Sequence, residues 1–141
     1  MGEYPAHLAR ERRLPDGRAV IIRPIRPGDE RFSADTDYER RMAFVCEAKG
    51  DGLVGEARYA PAASSRRATF TVTIAEGWQG TGLAELLLDA LSRAARARGF
   101  EILEGRASRD DKAMLGAARA LDFELSAAPD DPSALLAVKK L

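Results

Sequence analysis

The strongest constraint on the fold is a segment in which an alternating pattern passes through a glycine-containing turn into a long amphipathic pattern. In residues 68–75 three apolar side chains alternate with three threonines, which predicts a β-strand with one apolar face. Residues 83–98 contain strong helix formers throughout, and Gly99 stands where a helix-terminating glycine belongs. The turn at residues 77–82 therefore places the start of a helix at the end of a strand.

The rest of the chain predicts a single α+β domain, an α/β mixed sheet. Its 141 residues, 45% of them hydrophobic, are enough for one packed core. Residues 1–13 predict a flexible arm or an extra strand, and residues 14–141 the domain itself. Pro24 places the end of the first strand of this domain near a sheet edge. The remaining predicted elements are strands at 18–25, 42–48, 53–59, 102–107, 123–127 and 135–139, a helical turn opened by 27–30, and a helix at 112–121 that Asp110 or Asp111 can cap.

Composition excludes several classes of protein. Lys+Arg and Asp+Glu number 22 each, so the chain lacks the basic excess of a nucleic-acid binder. Its apolar runs are too short for a membrane span, and it begins without a signal-peptide pattern. Cys46 and His7 are the single cysteine and histidine, which argues against an internal disulfide, a metal cluster and a histidine triad. A cytoplasmic protein without a metal is expected, and a homodimer stays possible.

The strand–turn–helix junction has two interpretations on local grounds. Free N–H groups and the positive end of the helix dipole make a helix start that follows glycines suitable for a phosphate or pyrophosphate. The same pattern also suits a tight turn that binds nothing. The Gly-Lys-Ser/Thr of a P-loop is absent, and so is the glycine spacing of a dinucleotide fold.

A wider pattern favours the first interpretation. Gln79-Gly80-Thr81-Gly82-Leu83-Ala84 resembles the Q/R-x-x-G-x-G/A acetyl-CoA motif of the GNAT superfamily of N-acetyltransferases. The segment from Asp111 to Phe123 resembles a second element of that superfamily, N-x-x-(A/M)…L-G-F. Three further segments, at 16–18, 22–27 and 37–45, are similar to the GNAT domain at the C-terminal end of bacterial protein-lysine acetyltransferases. The resemblance extends from about Leu14 to Leu141.

The resemblance implies a three-layer fold with a mostly antiparallel central sheet, acetyl-CoA as co-substrate, and direct attack of a primary amine, such as a protein lysine, on the thioester. Pantetheine would lie along the strand at 72–74, a backbone N–H near Ile74 would polarise the thioester carbonyl, and the pyrophosphate would lie on the helix start. The implied cofactor-binding residues are Val72, Thr73, Ile74, Gln79, Gly80, Thr81, Gly82, Leu83, Ala84, Glu85 and Asp111.

The sequence departs from the family pattern where acid–base chemistry is expected. The position of the glutamate base of lysine-acetylating relatives is Thr69, so Glu56 is the nearest replacement and Glu76 the next. The position of a tyrosine acid is Ala118. Asp111 replaces the motif asparagine and is expected chiefly to cap its own helix.

The acceptor wall is also shorter than in those relatives, since only residues 28–39 stand where they insert one or two helices. Two alternatives therefore stay open. The first is an acyl-CoA-binding regulatory domain that has lost acceptor chemistry, and the second is an acetyltransferase acting on a small-molecule amine.

Overall fold

A computed structural model describes residues 3–63 and 66–141, which form an eight-stranded sheet and two helices. The strands are β1 (Arg10–Arg13), β2 (Ala19–Pro24), β3 (Met42–Ala48), β4 (Gly52–Pro61), β5 (Arg67–Ile74), β6 (Ile102–Ser108), β7 (Glu124–Ala128) and β8 (Asp131–Lys140). The helices are α1 (Leu83–Ala97) and α2 (Lys112–Ala120), and single 3₁₀ turns lie at Ala6–Leu8 and Glu76–Trp78. The strand order is β1-β2-β3-β4-β5-β6-β8-β7.

The hairpins predicted from sequence are confirmed. β3, β4 and β5 form an antiparallel meander, and β7 pairs with β8. Gly50 and Gly52 both have positive φ in the turn between β3 and β4, which glycine adopts without a Cβ clash. The pair β5–β6 is parallel and all other pairs are antiparallel, so the predicted mostly antiparallel sheet is confirmed.

Both helices lie over one face of the sheet. Leu83, Leu87 and Leu91 of α1 are almost completely buried, as their helical spacing predicts. Gly55 on β4 permits this close packing, because a Cβ there would lie 2.9 Å from Leu87 Cδ1. α1 ends at Ala97, and Gly99 has the positive φ of a helix-terminating glycine.

The irregular segment 25–41 makes the third layer: Asp29 and Arg31 contact Arg23 and Glu56 on the opposite face of β2–β4. The end of the segment returns to α1, where Tyr38 and Glu39 contact Arg98.

The prediction of a helical turn at residues 27–30 is wrong. Asp29 does not start a helix there, because its carboxylate pairs with the buried Arg23. Its carboxylate accepts two hydrogen bonds of 2.8 Å from Arg23, whose side chain is only 6% exposed. Glu47 accepts a third bond from Arg23 at 2.9 Å. The segment is thus fixed by a buried ion pair and has no helix.

The first strand lies at the edge of the sheet. β1 pairs with residues 19–22 of β2 only, so Pro24 lies beyond the end of that pairing. β2 itself is an interior strand, between β1 and β3. The missing N–H of Pro24 therefore costs no ladder bond on that side. Tyr4 extends the contact, since its hydroxyl donates to the Pro24 carbonyl at 2.8 Å.

Cys46 lies on β3 with no exposed surface, and burial raises the pKa of its thiol to about 12. The thiol stays protonated at neutral pH, which agrees with a packing role. Neither described helix is both long and apolar enough to cross a membrane. Within residues 3–63 and 66–141, three metal-ligating side chains do not come together anywhere.

Candidate active site

The central feature of the site is an opening in the sheet between two neighbouring strands. β5 and β6 pair over only three rungs, the last of which joins Thr69 to Glu104. Both strands continue beyond that rung, β5 as far as Ile74 and β6 as far as Ser108. The two strands therefore diverge after Thr69 and Glu104 and leave a wedge-shaped gap.

Backbone hydrogen-bonding groups of β5 face this gap. The N–H of Ala75 donates to the carbonyl of Val54 at 2.9 Å, so it points away from β6 and toward β4. Because backbone groups alternate sides along a strand, the N–H groups of Val72 and Ile74 point toward β6, where the ladder has already ended. Thr73 directs its backbone toward β4, so Val72 and Ile74 are the better placed of the three predicted residues.

The turn after β5 brings the start of α1 to the same place. Gly80 and Gly82 both have positive φ, and Gly82 is the residue that precedes the helix. The N–H of Leu86 donates to the Gly82 carbonyl at 3.3 Å as the first bond of the helix. The N–H groups of residues 82–85 consequently have no partner within the helix. Thr81 stabilises the turn, since its hydroxyl donates to the Trp78 carbonyl at 2.6 Å.

A cavity of about 230 Å³ joins the gap to the helix start. Eight of the predicted cofactor-binding residues line it, namely Val72, Ile74, Gln79, Gly80, Gly82, Ala84, Glu85 and Asp111. Leu83 does not, because its side chain is buried in the core and only its backbone can serve a ligand. Thr73 and Thr81 are also outside the lining.

The structure adds lining residues that the sequence motifs do not include. Trp78 forms one wall, where the Arg18 guanidinium stacks on its ring at 4.0 Å. The rest come from α2: Lys112, Ala113, Met114, Gly116 and Ala117. The small residues at 113, 116 and 117 recur at helical spacing, and that pattern in the sequence could have indicated a helix face that lines a cavity.

Asp111 caps α2 as predicted, because its Oδ1 accepts the Met114 N–H at 3.0 Å. We expect Asp111→Asn to cost only a few tenths of a kcal/mol in stability, since both residues cap well. Acetyl-CoA affinity should stay the same or rise slightly, because a negative charge leaves the cavity. Calorimetry checks this, with Asp110→Asn as the control beside it. A large loss of affinity confined to Asp111→Asn would give this side chain a direct binding role.

Gly116 lies in the interior of α2, and a Cβ built there meets no atom within 4 Å. Gly116→Ala should therefore raise the free energy of unfolding by about 0.5–1 kcal/mol through helix propensity. The melting temperature should rise by about 3 °C in a domain of this size. Thermal unfolding followed by circular dichroism measures the shift. A lower melting temperature would contradict the open space around this residue.

The predicted acid–base residues lie on the sheet face opposite the helices. Thr69 is exposed and forms part of a cleft of about 260 Å³. Glu56 stands in register with Thr73, and its carboxylate is 14% exposed. It accepts a hydrogen bond from Arg58 and lies 3.8 Å from Arg31. Its role as a base stays a prediction.

Two other positions bear on acid–base chemistry. Glu76 is an exposed residue of the 3₁₀ turn after β5. Ala118, at the position where relatives have a tyrosine, is buried in α2 and has no group that can give a proton.

The splayed strands and the turn that opens α1 define a site for an extended, phosphate-bearing acyl carrier. Comparison with known proteins agrees: the model of the acetyltransferase (GNAT) family matches residues 12–123, and the chain belongs to that family. An acetyltransferase from Pseudomonas aeruginosa, PA5475, is 31% identical over 157 aligned positions that cover 87% of this chain and 84% of the relative.

Solved structures share the fold. The GNAT domain of S. lividans PAT superposes with a TM-score of 0.81 at 21% identity, covering 99% of this chain and all of that one. A cAMP-binding acyltransferase from Mycobacterium smegmatis gives a TM-score of 0.73 at 17% identity, covering 94% of this chain and 46% of that protein. The predicted three-layer GNAT fold is confirmed.

The family transfers acetyl groups from acetyl-CoA, and the site fits that co-substrate. Val72 and Ile74 offer backbone groups at the gap, and the start of α1 offers N–H groups beside two glycines. Pantetheine amides and a pyrophosphate need these two kinds of group.

Proposed function

We propose that this protein transfers the acetyl group of acetyl-CoA to a primary amine, and that the amine is a protein lysine. The observation that carries the proposal is the gap beyond the rung Thr69–Glu104, with the N–H groups of Val72 and Ile74 on its wall. A thioester in this gap would have an N–H donor at its carbonyl oxygen and open space toward the opposite face. A backbone N–H in that position stabilises charge as it develops on the carbonyl oxygen.

The residues of the chain contribute binding and orientation. The N–H groups at the start of α1 would hold the pyrophosphate, and the positive end of the helix dipole adds to the attraction. Lys112, at the rim of the cavity, adds a cation on the same side. The strand edge at Val72 and Ile74 would fix the direction in which the pantetheine arm runs. Together these contacts would present the thioester at the base of the gap.

The open face of the sheet supports a protein acceptor. The segment 25–41 contacts β2–β4 without any helix in the part described, and it leaves Thr69, Thr71 and Thr73 exposed. A shallow, open surface suits a lysine side chain that a protein extends into it, whereas a small amine is usually enclosed. The cleft beside Thr69 also contains Asp35, Arg41 and Arg58, which offer charged contacts to a peptide.

The test is release of CoA from acetyl-CoA with panels of acceptors: lysine-containing peptides, folded proteins, polyamines and aminoglycosides. We expect turnover with the lysine acceptors and an acetylated lysine in mass spectra. Turnover confined to polyamines or aminoglycosides would replace the lysine with a small-molecule acceptor. Tight acetyl-CoA binding by calorimetry without turnover of any amine would support an acyl-CoA-binding domain. That outcome would agree with the threonine at position 69, where lysine-acetylating relatives have a glutamate base.

A further inference from the structure

We propose that Glu104 on β6 accepts the proton that the acceptor ammonium must lose before it attacks the thioester. This inference rests on the proposed transfer to an amine. It adds a catalytic residue on a different strand from Glu56. A lysine ammonium has a pKa of about 10.4, so forming the free amine at pH 7 costs about 4–5 kcal/mol. A carboxylate beside the reacting nitrogen lowers that barrier.

The sheet register places Glu104 at the base of the gap. Thr69 and Glu104 form the last rung before β5 and β6 diverge. Residues in register on neighbouring strands project to the same face. Gly105 turns toward the helix side, because a Cβ there would lie 2.8 Å from the Phe70 ring. Its neighbour Glu104 therefore projects to the opposite face, as Thr69 does.

The carboxylate of Glu104 is partly buried and held in place. It is 19% exposed, and its Oε1 lies 3.1 Å from Arg67 Nη1 on the neighbouring strand. Other charged groups on this face are Arg106 on β6, Lys140 on β8 and Glu124 on β7, and the cleft beside Thr69 adds Arg58, Arg41 and Asp35. Arg106 forms an ion pair with Asp130, in which Nη1 lies 2.5 Å from Oδ1. The Glu104 carboxylate thus stands in register with Thr69 where the gap begins, and Arg67 orients it.

Glu56 is less well placed for the same role. Glu56 stands in register with Thr73, which is four residues from Thr69. Thr73 and Thr69 are therefore roughly 13 Å apart along β5. The two carboxylate oxygens of Glu56 contact different arginines, Arg58 and Arg31, and it borders a separate cleft of about 210 Å³. The cleft that contains Thr69 adjoins the rung of Glu104. The carboxylate missing from β5 is thus replaced across the same rung.

One N–H bond of the ammonium breaks and its proton passes to the Glu104 carboxylate, which leaves a neutral amine with a lone pair. The nitrogen then forms a bond to the thioester carbonyl carbon, and the carbon–sulfur bond breaks as the electron pair leaves on sulfur. The second proton on nitrogen goes to the sulfur through water, and Glu104 returns its proton to solvent. The products are the acetylated amine, CoA thiol and one proton.

The first test is Glu104→Gln, which keeps an oxygen that can accept from Arg67. We expect kcat/KM to fall by roughly 10²–10⁴-fold while acetyl-CoA affinity measured by calorimetry stays within twofold. The matched control is Glu101→Gln, which removes an exposed carboxylate one residue before β6 and should cost no more than a few fold. Glu56→Gln tests the competing assignment of the base to β4.

Two further readouts separate a proton acceptor from a structural role. Activity of Glu104→Gln should rise with pH by about tenfold per unit toward the acceptor pKa, because more amine is already neutral. The double variant with Thr69→Glu and Glu104→Gln should regain most of the activity, since it returns a carboxylate to the same rung. A merely structural role predicts neither the slope nor the rescue.

The outcomes distinguish this inference from the proposed function. A parent that turns over lysine acceptors, with Glu104→Gln equally active, would overturn the inference alone. A large loss in Glu56→Gln with none in Glu104→Gln would return the base to β4. A parent that binds acetyl-CoA but turns over no amine would overturn the proposed function, and the role of Glu104 with it.

Discussion

Gly82→Val is expected to abolish acetyl-CoA binding while the sheet and both helices stay folded. Gly82 has a φ of +92°, where a β-branched residue is strained, and a Cβ there would lie 3.3 Å from Pro15 Cδ. The turn must shift to relieve both, and that shift moves the N–H groups at the start of α1. The strain costs about 1–3 kcal/mol, which is less than the 5–15 kcal/mol stability typical of such domains.

The expected loss of affinity is about a hundredfold or more. Two backbone hydrogen bonds to a charged phosphate contribute about 1.5–3 kcal/mol each, and the side chain of valine also blocks close approach. Gly77→Val is the matched control, because Gly77 has no positive φ and no atom within 4 Å of a built Cβ. Calorimetry and circular dichroism measure affinity and fold. If folded Gly82→Val bound acetyl-CoA as tightly as the control, this junction would not be the pyrophosphate site.

The second large effect is on stability. Asp29→Ala should lower the free energy of unfolding by about 3 kcal/mol, because it leaves the buried Arg23 guanidinium without its bidentate partner. Glu47 keeps one hydrogen bond to Arg23 in this variant. The loss of stability should therefore lie at the lower end of the range for a broken buried ion pair. Urea unfolding measures the change. The segment 25–41 should loosen as well, since Asp29 also accepts the Arg26 N–H at 2.8 Å.

The same ion pair predicts how stability depends on pH. Hydrogen bonds from Arg23 hold the pKa of Asp29 below its usual value. A lowered carboxyl pKa contributes stability that is complete above the unfolded value of about 3.9 and is lost as pH falls through the folded value. The parent should therefore lose stability below about pH 4 more steeply than Asp29→Asn does.

An exposed pair provides the control for both experiments. Asp16 bonds Arg18 in a similar way, but both side chains are more than 40% exposed. Solvent screens such a pair, so Asp16→Ala should change stability far less than Asp29→Ala. Equal losses of stability in the two variants would mean that burial of the Arg23–Asp29 pair does not increase its contribution to the free energy of unfolding.

The sequence by itself determined the elements whose physics is local. Alternation along β5, the leucine spacing of α1 and the cap at Asp111 depend on residues within a few positions of each other, and each appears in the structure as predicted. The turn before α1 belongs to the same group, because the positive φ of Gly80 and Gly82 suits glycine wherever the turn lies in the fold. Local spacing therefore predicted the strand, the turn and the helix start, whereas acetyl-CoA as their ligand came from the resemblance to the GNAT superfamily.

Only the tertiary structure decided which side chain lies beside Thr69. Parallel pairing of β5 with β6 sets Thr69 beside Glu104, 35 positions later in the chain, and no local pattern specifies that register. The fate of Asp29 was likewise decided by Arg23 on β2: a carboxylate that could start a helix instead neutralises a buried guanidinium. Strand register and burial of charge depend on partners distant in sequence, whereas helix caps and glycine turns depend on neighbours.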